Sequence, residues 1–403
     1  LKDSGDREFS TTMAFVRMLS ALARDKNIGK NIVPIVPDEA RTFGMEGMFR
    51  QLGIYSSKGQ LYEPMDSDQV MYYREDIKGQ ILEEGINEAG AMSSWIAAGS
   101  AYSAHGVSMI PFYIYYSMFG FQRIGDLAWA AADMQVRGFL MGGTAGRTTL
   151  AGEGLQHQDG HSLVVAGTIP NCISYDPTFA YELAVIIQSG MKRMYQLKEN
   201  VFYYISVMNE NYLHPAMPRG AEEGIIKGIY CLEEGEEKGL KVQLMGSGTI
   251  LREVIAAAAL LKKDFKINAD VWSVTSVNEL AREAQACARW NQLHPTKKAR
   301  QSYLETQMRG RKGPVIISTD YIRAYAEQIR EFVWSRFVSL GTDGFGRSDT
   351  RENLRTFFEV NRYYIVIAAL KALSDDGEVE SKVVQQAIKK YGIDPEKPRP
   401  TTV

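Results

Sequence analysis

The sequence predicts an α/β protein of two domains, each with a mostly parallel sheet flanked by helices. Apolar runs of strand length alternate with longer amphipathic segments along the chain, an order typical of parallel sheets. Most of these runs are continuously apolar, so the strands are expected to be buried on both faces. The chain has 403 residues, more than one ordinary domain holds, and we expect domains at 1–215 and 216–403.

The elements of the first domain follow from periodicity and from start and stop signals. A helix is predicted at 9–24, with Ser10 or Thr11 as its cap. The apolar run at 31–36 is a strand that Pro37 ends. The later elements are predicted, in order, as a mostly helical segment at 80–102, a strand at 107–114, a helix at 125–136, a strand at 162–168, a helix at 177–196 and a strand at 201–207.

The second domain repeats the alternation after a change in composition. A proline-containing segment at 214–220 is expected to begin a linker, and the acidic run at 233–239 is expected to be a charged turn. The elements that follow are predicted as a strand at 242–245, a helix at 249–263, a strand at 269–274, a helix at 277–291, a strand at 315–318, a helix at 320–333, a strand at 338–341 and helices near 350–358 and 361–374.

Composition excludes several classes of function. Hydrophobic residues make up 45% of the chain and charged residues 23%, as in soluble globular proteins. A net charge of −2 gives no reason to expect a nucleic-acid partner. Three scattered cysteines fit a reducing compartment, so we expect a cytoplasmic protein without a disulfide framework. No apolar run reaches the length of a membrane span, and the start without Met suggests part of a longer chain.

A glycine-dense polar loop between apolar segments carries two histidines, His157 and His161. The loop runs from Gly142 to His161 and has little apolar content to bury. Histidines on such a loop are often placed for chemistry, although a solvated surface loop explains the composition slightly better.

Glu88 is the most informative carboxylate. If it lies in a helix, Met92 and Trp95 share its face at the fourth and seventh positions after it. A carboxylate beside such apolar groups is costly to ionise unless it is paired, and such a group suits proton transfer near neutral pH. A helix N-terminal carboxylate stabilised by the helix dipole is an equally good explanation.

Two further groups lie where strands of the first domain are predicted to end. Residues 111–126 begin with a cluster of aromatic side chains, and Asp38 and Glu39 follow the strand at 31–36. Both would lie at the carboxyl edge of the sheet, where flat ligands bind, although a core cluster and a solvated cap are the plainer explanations. Gly246 and Gly248 begin an incomplete dinucleotide fingerprint, which predicts only a tight turn.

Three blocks carry a family resemblance: 84–91 around Glu88, the aromatic strand end at 111–126, and 152–157 with its histidine. In this order they resemble the thiamine diphosphate enzymes of the transketolase type, above all the homodimeric bacterial pyruvate dehydrogenase E1 component. The resemblance runs over essentially the whole chain. It implies a transketolase-like pyrimidine-binding domain at 1–215 and a transketolase C-terminal-like domain at 216–403.

The resemblance also implies an activity and its partners. The complete enzyme would decarboxylate pyruvate on thiamine diphosphate and pass the acetyl unit to the lipoyl group of an E2 dihydrolipoyl acetyltransferase, acting as a dimer of E1 subunits. Glu88 would hydrogen-bond a ring nitrogen of the cofactor's aminopyrimidine and so promote proton removal from the thiazolium, while His157 would face the substrate. Further residues implied at this site are Tyr116 and Phe119 around the pyrimidine, and Asp38, Glu39 and Glu153 as polar lining, with Glu39 and Tyr116 also expected to take part in catalysis. No role is implied for His161.

The family's magnesium and diphosphate motif, Gly-Asp-Gly, does not occur in these 403 residues. The Mg²⁺ ligands are therefore expected in an N-terminal domain that the sequence does not include, and the chain alone is expected to be inactive. The alternatives are a transketolase, another 2-oxo acid dehydrogenase E1, or a non-catalytic dimerisation or assembly fragment.

Overall fold

The computed structural model describes residues 3–37 and 40–403, which contain two main sheets and a short two-stranded one. In chain order the strands are β1 Ile32–Val36, β2 Ile54–Tyr55, β3 Glu75–Asp76, β4 Leu82–Glu83, β5 Ile110–Tyr116, β6 Phe139–Gly143, β7 Cys172–Tyr175, β8 Phe202–Ser206, β9 Ile229–Glu233, β10 Lys241–Gly246, β11 Asn268–Val274, β12 Val315–Ser318 and β13 Phe337–Leu340.

Capping side chains fix where several helices begin. Ser10 accepts a hydrogen bond from the backbone N–H of Met13, and Ser276 accepts one from that of Glu279. The helices are α1 Thr11–Leu22, α2 Glu46–Leu52, α3 Glu88–Ala104, α4 Phe121–Asp133, α5 Ser162–Thr168, α6 Ala180–Met191, α7 Glu222–Lys227, α8 Leu251–Leu260, α9 Val277–Leu293, α10 Tyr303–Met308, α11 Arg323–Glu327, α12 Arg351–Phe357, α13 Arg362–Asp375 and α14 Ser381–Lys390.

The first sheet has the strand order β4-β1-β5-β6-β8-β7 and is parallel throughout. Alternate side chains of its strands enter two separate hydrophobic clusters, one with α1 and α6 and the other with α3 and α4. Burial on both faces explains why the strands are continuously apolar. The prediction of mostly parallel sheets flanked by helices is confirmed.

The second sheet has the order β13-β12-β10-β11-β9, in which β9 alone is antiparallel to its neighbour. The carboxyl ends of the two sheets meet. Asp176, after β7, donates its backbone N–H to Thr275, after β11, at 2.8 Å. Thr148, after β6, donates its backbone N–H to the side chain of Asp320, after β12, at 2.8 Å. Loops that follow parallel strands in both sheets therefore share one junction.

One predicted strand is wrong. Residues 162–168 form helix α5, and the strand beside β8 is β7, which the sequence analysis missed. The buried Asp159 carboxylate accepts hydrogen bonds from the backbone N–H groups of His161, at 2.9 Å, and Ser162, at 3.0 Å. These bonds form a turn directly before the helix, and side-chain turns of this kind compete with the β preference of two adjacent valines.

Other elements differ in extent. The helical segment expected from residue 80 starts only at Glu88, because β4 precedes it. The helix predicted at 320–333 consists of α11 and one 3₁₀ turn. Helix α7 and strand β9 occupy much of the expected linker, and α14 had no predicted counterpart. In the described part of the chain, no helix combines the length and apolar character that crossing a membrane requires. The boundary at residue 215 stays a prediction.

Candidate active site

Three segments that carry predicted site residues meet at the carboxyl edge of the first sheet. Glu88 begins α3 shortly after β4, Tyr116 is the last residue of β5, and the loop with His157 follows β6. Because these strands are parallel, their carboxyl ends lie on the same side of the sheet. Asp38 and Glu39, which follow β1, lie outside the described residues.

Glu88 occupies the buried first position of α3. Its side chain shares a face with the fully buried Met92 and Trp95, and Asn87 caps the helix by accepting from the N–H of Gly90 at 3.0 Å. Glu88 is thus both buried and at a helix N-terminus, and its part in proton transfer stays a prediction. The carboxylate is paired: Oε1 accepts from Nη1 of Arg123 at 2.6 Å.

Arg123 is a further residue of the candidate site, which the sequence analysis did not predict there. It lies on α4, and its guanidinium carbon is 4.2 Å from the centre of the Phe119 ring. About half of its side chain is exposed (48%). Arg123 can therefore contact a ligand while it stays paired with Glu88. Its position in the aromatic block at 111–126 was a weak signal, but its pairing with Glu88 depends on the packing of α3 against α4.

His157 joins the aromatic cluster from the other side. Its ring meets Tyr116 edge-on at 5.6 Å between centroids and Phe119 at 5.1 Å. Its Nε2 lies 3.8 Å from Oε2 of Glu153, while its buried Nδ1 has no hydrogen-bond partner among the described residues. Phe43, a second residue missed from sequence, packs 5.6 Å from Tyr116. A continuous series of contacts therefore runs from Glu88 to Glu153.

The end of the histidine loop is fixed to the first sheet. Asp159 is fully buried and accepts a short hydrogen bond from Ser117 Oγ, directly after β5. Ser117 Oγ is also 2.9 Å from the hydroxyl of Tyr204 on β8. His161, four residues after His157, has its Nδ1 3.8 Å from Asp159 and no recorded contact with the aromatic cluster among the described residues. His161 therefore lies beside Asp159, which fixes the end of the loop, and not in the aromatic cluster.

The start of the loop is fixed to the second sheet. Asp320 accepts hydrogen bonds from the side chains of Thr148, at 2.7 Å, and Thr149, at 2.5 Å. The buried Arg147 donates to the carbonyl oxygen of Thr342 at 2.6 Å. Burial raises the pKa of Asp320 and lowers that of Arg147. A wholly solvated loop is thus excluded, since its two ends are buried and only a middle segment that includes Glu153 is exposed.

The glycine turn after β10 is structural. Gly248 has a φ of +51°, and a Cβ at this position would lie 2.7 Å from Cε of Met208. Ser247 donates to Oδ2 of Asp176 at 2.7 Å, so the turn packs against the first domain. The expectation of a tight turn holds. Within the described ranges, no group of three or more His, Cys, Asp or Glu side chains is arranged to hold a metal ion.

The two facing, mostly parallel sheets, with a carboxylate, aromatic rings and a histidine at one edge, define the transketolase-like class. Residues 2–215 match the model of the pyruvate dehydrogenase E1 component middle domain, and residues 228–361 match the transketolase-like TK C-terminal domain. The chain belongs to the family of the pyruvate dehydrogenase E1 component middle domain. The resemblance inferred from sequence is confirmed.

Curated relatives agree over nearly the whole chain. The chain is 69% identical to the pyruvate dehydrogenase E1 component of Pseudomonas aeruginosa over 402 residues, which is 99% of this chain and 46% of the relative. It is 59% identical to that of Escherichia coli K12, covering 99% of this chain and 45% of the relative. The chain thus spans about half the length of the curated relatives it matches.

Solved structures show the same fold at low identity. A transketolase from Leishmania mexicana matches with a TM-score of 0.66 at 15% identity, covering 93% of this chain and 47% of that one. A protein described as a split-gene transketolase, an inactive β4 tetramer, matches with a TM-score of 0.59 at 16% identity, covering 91% of this chain and 99% of that one.

Proposed function

We propose that this chain is the pyrimidine-binding and C-terminal part of a pyruvate dehydrogenase E1 component. The complete enzyme would decarboxylate pyruvate with thiamine diphosphate and transfer the acetyl unit to the lipoyl group of an E2 acetyltransferase. The observation that carries the proposal is the continuous series of contacts from Glu88 through Arg123 and Phe119 to His157. The names of the relatives support it.

The residues present fit the pyrimidine half of thiamine diphosphate. Oε1 of Glu88 accepts a hydrogen bond from Arg123. Among the described residues, Oε2 has no hydrogen-bond donor, so this oxygen can accept from an N–H group of the pyrimidine ring or its amine. Tyr116 and Phe119 are partly exposed aromatic rings beside it, suited to a flat heterocycle. The unpartnered Nδ1 of His157 is a further polar atom that requires a partner.

The chain's own residues supply binding, orientation and proton handling. Glu88 holds or accepts a proton at its carboxylate, and the water-poor surroundings of Met92 and Trp95 strengthen each hydrogen bond that it makes. Arg123 orients that carboxylate and places a positive charge beside the aromatic rings. When bound, thiamine diphosphate supplies the electron sink for loss of carbon dioxide from a 2-oxo acid.

His157 is proposed to contact the substrate. Edge-on contacts with Tyr116 and Phe119 limit how its ring can turn. Its Nε2 lies 3.8 Å from Glu153, and Nδ1, which has no hydrogen-bond partner among the described residues, is the nitrogen proposed to donate to a carboxylate or carbonyl oxygen of pyruvate. Asp38 and Glu39 stay proposed contributors to the same site.

The remaining proposals concern what surrounds the chain. The Mg²⁺ ligands and the diphosphate side would come from the further length that the curated relatives have, with a second E1 subunit completing the site. The split-gene transketolase of nearly the same extent, described as inactive, supports an inactive chain in isolation. The cytoplasmic location expected from cysteine usage also stays a prediction.

The test is Glu88→Gln in the complete enzyme of which this chain is proposed to be a part. Glutamine keeps the shape but removes the charge, so we expect activity to fall by about a hundredfold or more with normal folding. Asp133→Asn is the matched control, because Asp133 is an exposed carboxylate at the other end of α4 from Arg123. Near-normal turnover of Glu88→Gln would remove Glu88 from proton handling.

A further inference from the structure

Four arginines surround a cavity at the junction of the two domains, and the residues that line it do not include those of the candidate active site. The cavity measures about 430 Å³. Helix α8 contributes one arginine, α12 contributes two, and the start of α13 contributes the fourth. They are Arg252, Arg351, Arg355 and Arg362.

Two glutamates with little solvent exposure, Glu210 and the buried Glu253, neutralise part of this charge. Glu210 pairs with Arg252 at 2.7 Å and with Arg355 through a shorter contact. Glu253 pairs with Arg362 at 2.9 Å. Burial raises the pKa of both carboxyls, but the arginine hydrogen bonds and charges outweigh it and keep both pKa values below the ordinary range. Both glutamates are therefore ionised. With the exposed Glu352 at the rim, three carboxylates line the cavity against four guanidinium groups, which leaves an excess of one positive charge.

Arg351 carries the charge that is least compensated. Its Nε donates to the carbonyl oxygen of Thr149 at 2.7 Å, and its Nη2 lies 3.4 Å from Oδ1 of Asn209. The one ion pair recorded for it among the described residues is 4.0 Å long and goes to Glu210, which Arg252 and Arg355 already engage. Burial lowers the pKa of Arg351, and repulsion from these two arginines adds to the effect.

Three of the four arginines are partly exposed to solvent. A third of the Arg351 side chain is exposed (33%), and Arg252 and Arg362 are also partly exposed. A guanidinium group presents several donors in one plane and matches the oxygens of a phosphate group. A dianion that bound here would reduce the mutual repulsion of the arginines and satisfy their remaining donors.

We propose that this arginine cavity binds a small phosphate-type anion, with Arg351 as its principal ligand. The residues that line this cavity do not include Glu88 or His157, and the proposal does not depend on the proposed enzymatic function. Its affinity falls as ionic strength rises, because exposed charges at the rim are screened by salt.

The test is calorimetric titration of the 403-residue chain with inorganic phosphate at low ionic strength. We expect saturable binding with one site per chain, weakened roughly tenfold in Arg351→Met, which keeps the apolar stem but removes the charge. Arg336→Met is the matched control, since Arg336 is a similarly exposed arginine that pairs with Asp376 outside the cavity. Its phosphate affinity should equal that of the unsubstituted chain.

A second variant tests the sign of the electrostatic argument. Glu352 is an exposed carboxylate at the rim of the same cavity, and Glu352→Gln should tighten phosphate binding by roughly threefold. The absence of saturable binding by the unsubstituted chain would overturn the proposal, as would equal binding by Arg351→Met. If Arg351→Met does not fold, unchanged affinity in Glu352→Gln overturns the proposal and tighter binding supports it.

Discussion

Asp176 links the two domains and makes the stability of the chain depend on pH. Its fully buried carboxyl accepts hydrogen bonds from Ser206, at 2.5 Å in the first domain, and Ser247, at 2.7 Å in the second. Burial raises its pKa from 3.8 to about 7, with the nearby carboxyls of Asp320 and Glu182 adding to the effect. The folded protein thus favours the neutral carboxyl, whereas the unfolded chain ionises it above its ordinary pKa.

The sign and size of the effect follow from this difference. The stabilisation is fully present below the unfolded pKa of 3.8 and is lost as the pH rises to the folded value of about 7. A gap of about three pKa units corresponds to roughly 4 kcal/mol in total, of which about 2 kcal/mol is lost between about pH 5 and about pH 7. The asparagine of Asp176→Asn cannot ionise, so this variant does not lose the stabilisation as the pH rises.

The assay is urea unfolding of the chain and of Asp176→Asn at several pH values. The free energy of unfolding of the variant, relative to the unsubstituted chain, should rise by about 2 kcal/mol from about pH 5 to about pH 7. Taking the difference between the two proteins cancels the other titrating groups. Asp375→Asn, at a carboxylate paired with Lys371 on the surface, should show no such rise. Parallel pH profiles for Asp176→Asn and the unsubstituted chain would refute the argument.

Three other substitutions or titrations test the site. The isolated chain should bind thiamine diphosphate weakly even with Mg²⁺, and micromolar or tighter binding by calorimetry would contradict the expected role of a further domain. In the complete enzyme, His157→Ala should slow a substrate or acetyl-transfer step more than it lowers cofactor affinity; a selective loss of cofactor binding in kinetic titrations would contradict that role. Asp320→Ala leaves buried N–H groups of Thr148 and Thr149 without their acceptor, so it should cost about 2–4 kcal/mol and speed amide exchange in the histidine loop; unchanged exchange by mass spectrometry would argue against the anchor.

The strands of the second domain show what local sequence determines. β12 was predicted with its observed ends, because a short continuous apolar run between polar residues has one consistent interpretation in an α/β chain. The run at 162–168 looked similar but forms a helix. Its conformation depends on Asp159, whose side chain is held by Ser117, 42 residues earlier in the chain. No local pattern could reveal that contact.

In the candidate site, too, some residues could be recognised from local sequence and others depend on how the chain packs. Glu88, Tyr116 and His157 were recognisable because each stands in a distinctive local block, and the structure brings them together. Arg123 was missed because its partner Glu88 is 35 residues away on another helix. The sequence could place a carboxylate beside apolar groups and state the need for a partner, but the partner itself is set by how two helices pack.

The histidine loop is held by both domains. Its start is held by Asp320 of the second domain, and its end is held by Ser117 of the first. Between these two contacts lie Glu153 and His157. The loop around them contains glycines at positive φ, which allow many backbone conformations unless other contacts restrict them. The position of His157 over the aromatic rings therefore depends on both domains keeping their mutual placement. Contacts such as those of Asp176, which look remote from the site, help to determine where the proposed substrate-facing nitrogen lies.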